Sequence, residues 1–138
     1  MQYAAKMAKY FSAVEIIEMH HENKLDTPSG TAITTANKIA ENLNQASQTE
    51  ISKNNPELNI IAGSRGARQN NIPIHAIRLP GILAKQQVIF GNPAETLTIE
   101  HNTINRKAFM PGIILACQKV RQFDTMHVGL ESCLDNEQ

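Results

Sequence analysis

The spacing of apolar positions changes several times along this chain, and each change marks an element. Ala4, Met7, Ala8 and Phe11 recur at helical spacing, which predicts a short amphipathic helix over residues 3–11. Val14-Glu15-Ile16-Ile17-Glu18-Met19 is β-branched and apolar enough to predict a buried strand. His20 and His21 then fall at its carboxyl end, the edge where open α/β layers tend to bind ligands. From Thr31 onward Ala32, Ala36, Ile39, Ala40 and Leu43 share one face of a helix of about three to four turns. Thr34, Thr35, Asn37, Lys38 and Glu41 take the other face. Between strand and helix, Asp26-Thr27-Pro28-Ser29-Gly30 supplies good N-cap residues and a proline that the first helical turn tolerates.

The second half begins with a polar stretch, residues 44–59, which reads as a surface loop or a fraying helix end with no chemistry assigned. Gly63-Ser64-Arg65-Gly66-Ala67-Arg68 is glycine-rich and basic but matches neither a dinucleotide nor a Walker fingerprint. A flexible loop is favoured there over a phosphate cradle. After residue 70 the period becomes two. Residues 72–79 predict a strand stopped by Pro80-Gly81, and residues 87–90 a second, followed by a Gly91-Asn92-Pro93 turn. Residues 95–101 predict a third, with Leu97 and Ile99 on one face. Their hairpin-length connections imply antiparallel pairing. With the earlier strand the fold class is α+β: a mixed, mostly antiparallel four-stranded sheet with helices packed on one face. Ile113, Ile114, Ala116, Cys117 and Val120 predict a last helix, with Pro111 either its first residue or a kink in a helix begun near Arg106. The polar tail Asp135-Asn136-Glu137-Gln138 reads as frayed.

Composition narrows the function. The 138 residues suffice for one domain, and 13 basic against 13 acidic side chains leave no electrostatic nucleic-acid footprint. The two cysteines are too few for a disulfide framework, and Cys117, inside an apolar helical pattern, is expected to be a buried thiol. No apolar run approaches the ~20 residues of a membrane span, and the start lacks a signal-peptide core, so a cytoplasmic location is expected.

The chemistry concentrates between residues 18 and 32. Histidine is the side-chain type that exchanges a proton near neutrality, which makes His20 a candidate proton carrier. Lys24, four residues on, puts an ammonium within a loop's reach of the same ligand. Ser29-Gly30-Thr31 opens a helix, where unpaired backbone N–H groups attract anions and a glycine permits close approach. Each piece taken singly also has a plain reading: a surface histidine pair, a solvated lysine, an ordinary cap. A metal bound by His20, His21 and Asp26 is a further alternative. It is disfavoured because adjacent residues at a strand end point in opposite directions, and no metal is expected. His75, His101 and His127 are expected to be structural.

Taken together, Glu18-Met19-His20-His21-Glu22-Asn23-Lys24-Leu25-Asp26-Thr27-Pro28-Ser29-Gly30-Thr31-Ala32 resembles the E-x-H-H-x-x-K-x-D-x-P-S-G-T-A signature of dihydrodipicolinate reductase. Thr27 stands where a small residue such as alanine is expected. Looser similarity continues through Arg78-Leu79-Pro80-Gly81, Val88-Ile89-Phe90-Gly91, the Leu97–His101 strand and residues 106–112, so the whole chain resembles the carboxyl-terminal half of that enzyme. The resemblance implies NADPH- or NADH-dependent reduction of a cyclic dicarboxylate, 4-hydroxy-tetrahydrodipicolinate, on the diaminopimelate route to lysine. It makes His20 the proton donor and acceptor, Lys24 the second catalytic group, His21 a substrate contact, and Gly30 with Thr31 the grip on a substrate carboxylate. Arg106 and Phe109 fall near the cofactor, and assembly is a homotetramer through the sheet.

One departure from the family is large: its glycine-rich dinucleotide fingerprint after a first strand is missing. The chain is therefore expected to be a substrate-binding and oligomerisation domain (residues 1–105) followed by a helix and tail (106–138) that pack on an absent dinucleotide-binding domain. Alone it is expected to be inactive. The competing reading is a non-catalytic remnant that only self-associates or holds a dianion.

Overall fold

A computed structural model describes residues 1–43 and 61–134. The polar stretch 44–59 and the tail from Asp135 lie outside the described residues. The chain divides into two compact units, Met1–Asn102 and Thr103–Gln138.

The first unit opens with helix α1 (Gln2–Met7), prolonged by a 3-10 turn (Ala8–Tyr10), and enters strand β1 (Ala13–His20). Helix α2 (Gly30–Ala40) follows, then strands β2 (Ala67–Gln69), β3 (Ile72–Arg78), β4 (Ala84–Asn92) and β5 (Glu95–Thr103). The sheet order is β2-β3-β1-β4-β5, with β1 parallel to β3 and antiparallel to β4, and β2 antiparallel to β3. This is the expected α+β class with a mixed, mostly antiparallel sheet, and it has five strands instead of four.

The fifth strand comes from the segment read as a loop. Ala67–Gln69 pairs with Ile72–Ile74 through a two-residue turn in which Asn70 and Asn71 both adopt positive φ, 50° and 65°. Asparagine tolerates that conformation, and two such residues make the tight turn that suits hairpin twist. Gly66 enters the strand at φ +72°, where a Cβ would sit 2.5 Å from the Ile74 carbonyl oxygen. The glycines of this segment thus serve chain geometry.

The pairing of β3 with β4 implied by their short connection does not occur. Strand β1 lies between them, pairing along its length with β4 from Ala13↔Gly91 to His20↔Ala84. That pairing also recruits Ala84 and the polar Lys85 and Gln86 into β4, beyond the predicted Gln87–Phe90 run. The apolar β1 has backbone donors and acceptors on both edges, and a central position satisfies them all. The β3–β4 connection crosses the carboxyl end of β1, where the Leu79 amide donates to the His20 carbonyl (3.1 Å).

Alternation along β1 sets which face holds what. Val14, Ile16 and Glu18 are buried on the helix side, with Ile72, Ile74, Val88 and Phe90 from neighbouring strands and Ala32, Ala36 and Ile39 from α2. Glu15, Ile17 and Met19 point to the opposite face and stay partly exposed.

In the second unit a 3-10 turn (Arg106–Phe109) leads into helix α3 (Met110–Lys119), with Pro111 in its first turn, and a short helix α4 (Glu131–Leu134). Contrary to expectation, Cys117 is exposed, and Cys133 is the buried thiol. Some thirty described residues cannot wrap a three-turn helix: Leu130 covers Gly112, while Ile113 and Ile114 remain 51% and 52% exposed.

Candidate functional site

The site is built from the bottom of one buried side chain. Glu18 occupies an inward position of β1 and is 0% exposed. A carboxylate removed from water must be paired and hydrogen-bonded, or it neutralises. Here four donors meet its two oxygens. Oε1 accepts from Arg78 Nη2 (2.7 Å) and from the Ser29 amide (3.0 Å). Oε2 accepts from Arg78 Nη1 (2.8 Å) and faces His20 Nδ1 at 2.6 Å. Burial by itself would raise the Glu18 pKa. The hydrogen bonds from Arg78, His20 and Ser29 outweigh it and hold the group below its ordinary value, so it is ionised at neutral pH. The Glu18 hydrogen bond in turn raises Arg78.

Those contacts set the positions of the residues singled out from sequence. His20, last in β1, lies with its side chain 16% exposed against Glu18. His21 leaves the strand, and its carbonyl accepts the Lys24 amide (3.1 Å) in a tight turn that folds the chain back. Lys24 Nζ donates to Asp26 Oδ1 (2.7 Å), and this contact holds the exposed Asp26 carboxyl below the usual range. Arg78 Nη2 also donates to the Asp26 carbonyl (2.8 Å) and the Thr27 hydroxyl (3.2 Å), pinning the loop from beneath.

Ser29 then caps α2. Its backbone is extended and its hydroxyl accepts from the Ala32 amide (3.2 Å). Gly30 and Thr31 form the exposed first turn, and a Cβ at Gly30 would meet nothing within 4 Å. His20 Nδ1 and the Ser29 amide are thus held by the two oxygens of one carboxylate, which brings the imidazole and the helix start together although they lie nine positions apart. His20, His21, Lys24, Gly30 and Thr31 belong to this one strap in the first unit. Arg106 and Phe109 belong to the 3-10 turn of the second unit, and both are exposed.

Glu18 and Arg78 had no role assigned from sequence, and Asp26 was weighed only as a cap residue and as a ligand in the disfavoured metal alternative. A signal existed for Glu18: an acid at an inward position of an apolar strand demands a cation. Its partner, sixty positions away, is not legible locally. Among the described residues no three His, Cys, Asp or Glu side chains are grouped to hold a metal ion. Of the other histidines, His75 Nε2 lies 2.7 Å from Glu15, which also pairs with Arg65, and His127 bonds Ser132.

The architecture defines a class, an α+β layer that carries this strap at the carboxyl end of its central strand. Comparison with known proteins gives the family. The family model described as "Dihydrodipicolinate reductase, C-terminus" matches residues 1–134. The 4-hydroxy-tetrahydrodipicolinate reductase of Legionella pneumophila (strain Lens) is 50% identical over 134 residues, which are 97% of this chain and 53% of that protein. The reductase of the same name from Listeria welshimeri is 47% identical over 135 residues, 98% of this chain and 50% of that one. A solved structure of dihydrodipicolinate reductase from Paenisporosarcina sp. TG-14, with dipicolinate bound, superposes with a TM-score of 0.76 at 41% identity. The match covers 96% of this chain and 49% of that one. The chain belongs to the dihydrodipicolinate reductase family and corresponds to its carboxyl-terminal part. It spans about half the length of the curated relatives it matches.

Proposed function

We propose that this chain is the substrate-binding part of a nicotinamide-dependent reductase acting on 4-hydroxy-tetrahydrodipicolinate, in the cytoplasmic diaminopimelate route to lysine. The observation that carries the reading is the strap itself. One carboxylate, Glu18, holds both the imidazole of His20 and the amide that opens α2, with Lys24 on the loop between them.

A cyclic dicarboxylate suits that arrangement. One carboxylate of the ligand takes the exposed first turn at Gly30 and Thr31, where backbone N–H groups and the helix dipole favour negative charge. Lys24 exchanges its contact with Asp26 for the ligand, and His21 adds a contact beside it. His20 holds the proton that the reduced ring gains and recovers it from water. A nicotinamide dinucleotide, NADPH or NADH, supplies the hydride when bound. In this chain Arg106 and Phe109, an exposed cation and an exposed aromatic ring, take part of the contact with it, and most of its contacts lie elsewhere. The chain alone is expected not to turn over.

Two further assignments belong to this reading. Residues 1–105 form the substrate-binding and self-associating domain, and residues 106–138 pack on a dinucleotide-binding domain. The half-exposed Phe109, Ile113 and Ile114 support the second assignment. Assembly is a homotetramer through the helix-free face of the sheet, where Ile17, Ile77 and Ile89 are only partly covered.

The test is calorimetric titration of the chain with pyridine-2,6-dicarboxylate. Saturable binding is expected, weakened about tenfold or more in Lys24→Ala by loss of a charge-assisted hydrogen bond. A folded chain that binds no dianion, or a variant that binds as well as the parent, refutes the reading. Sedimentation should give a tetramer.

A further inference from the structure

Glu18 and Arg78 have no part in the chemistry described above, yet every element of the site is tied to them. An ionised carboxylate only accepts hydrogen bonds. Glu18 is buried against a guanidinium that donates to both its oxygens, so it is ionised, and the 2.6 Å contact at Oε2 requires His20 Nδ1 to carry a hydrogen. The lone pair of neutral His20 is then on Nε2, the ring nitrogen left to exchange a proton with a ligand. The other oxygen holds the Ser29 amide, the residue that caps α2 and sets where Gly30 and Thr31 present their backbone. Arg78 carries the middle of the strap through the Asp26 carbonyl and the Thr27 hydroxyl.

We propose that Glu18 is the positioning residue of this site. It locks the His20 imidazole in the Nδ1–H tautomer with Nε2 as the proton-exchanging nitrogen, and through the Ser29 amide it sets the anion-binding turn at a constant distance from that nitrogen. Arg78 keeps the carboxylate charged and holds the strap over it. The assignment deepens the proposed function and rests on it for the identity of the ligand. The orientation of His20 is a property of the free chain and is measured without one.

A buried acid–arginine pair that merely stabilised the fold would leave the tautomer of a neighbouring histidine unspecified. Long-range ¹H–¹⁵N correlation spectra of the free chain, recorded above the histidine titration, separate the two roles, with His20 assigned from the His20→Gln variant. The wild-type chain is expected to show a protonated Nδ1 and an unprotonated Nε2. Glu18→Gln, whose amide can donate as well as accept, should move His20 toward the Nε2–H form that free imidazole prefers. Arg78→Met keeps the carboxylate acceptor and should keep the Nδ1–H form while losing stability. A wild-type His20 in the Nε2–H form overturns the proposal without any variant. So does an unchanged tautomer in folded Glu18→Gln.

With pyridine-2,6-dicarboxylate added, Nε2 and not Nδ1 should shift on titration, and Glu18→Gln should weaken binding about tenfold. A wild-type chain that binds no dianion counts against the proposed function and leaves the tautomer result standing.

Discussion

Replacing Arg78 by methionine keeps most of the aliphatic stem and removes the cation that neutralises Glu18. The carboxylate stays fully buried and retains two of its four donors, His20 and the Ser29 amide. Leaving one member of a buried pair alone costs about 3 kcal/mol or more. An upper bound comes from the escape route, because the stranded carboxylate can take a proton. At pH 7 that costs about 1.36 kcal/mol for each unit above an ordinary glutamate value near 4.3, or roughly 3.7 kcal/mol. The loss should therefore be about 3–4 kcal/mol at pH 7, near a 10 °C drop in Tm for a chain of this size.

The buried charge also sets the pH dependence. The folded-state pKa of wild-type Glu18 is depressed, so its contribution is present above the ordinary carboxylate value and disappears as pH falls through the folded value. In Arg78→Met the escape by protonation becomes cheaper as pH falls, and at pH 5 it costs only about 1 kcal/mol. Urea unfolding followed by far-UV circular dichroism at both pH values measures the difference. A loss under about 1 kcal/mol at pH 7 would falsify the account of Glu18 as a stranded buried charge. A penalty that fails to shrink at pH 5 would do the same.

Three further outcomes follow from local geometry. Ser29→Ala removes the hydroxyl that accepts the Ala32 amide and should cost about 1 kcal/mol in urea titration, and a cost near zero would mean the cap is idle. Gly66→Ala combines φ +72° with a Cβ 2.5 Å from the Ile74 carbonyl oxygen and should lose about 2 kcal/mol or more, whereas an unchanged unfolding midpoint would contradict the turn geometry at the start of β2. Gly30→Trp meets open space and should unfold within about 0.5 kcal/mol of the parent. It should nevertheless abolish binding of pyridine-2,6-dicarboxylate in calorimetry, and retained binding would move the anion site away from the α2 start.

The candidate site was legible in the sequence only as a local cluster of residues. His20, His21, Lys24, Gly30 and Thr31 lie within twelve consecutive positions, and the end of a strand, a tight turn and a capped helix start all leave marks on neighbouring residues. What holds them there was not. An acid at Glu18, inside an apolar strand, asks for a cation, but Arg78, from β3, is laid beside it only by the parallel pairing of the two strands, in which His20 faces Arg78 in register.

From sequence alone came β1 from its β-branched run, α2 from its 3.6-residue period and Ser29 cap, the α+β class from the change to a period of two, and the family resemblance from a contiguous signature. All are encoded in spacings of a few residues, where propensity and periodicity act. Only the tertiary structure decided that β1 sits in the middle of the sheet between β3 and β4. It decided also that a turn of two asparagines makes room for β2, and that Cys133 is buried while Cys117 is not. These depend on which strand satisfies which backbone edge and on what covers a helix. Both are settled by contacts between residues far apart in the chain, which no local pattern records.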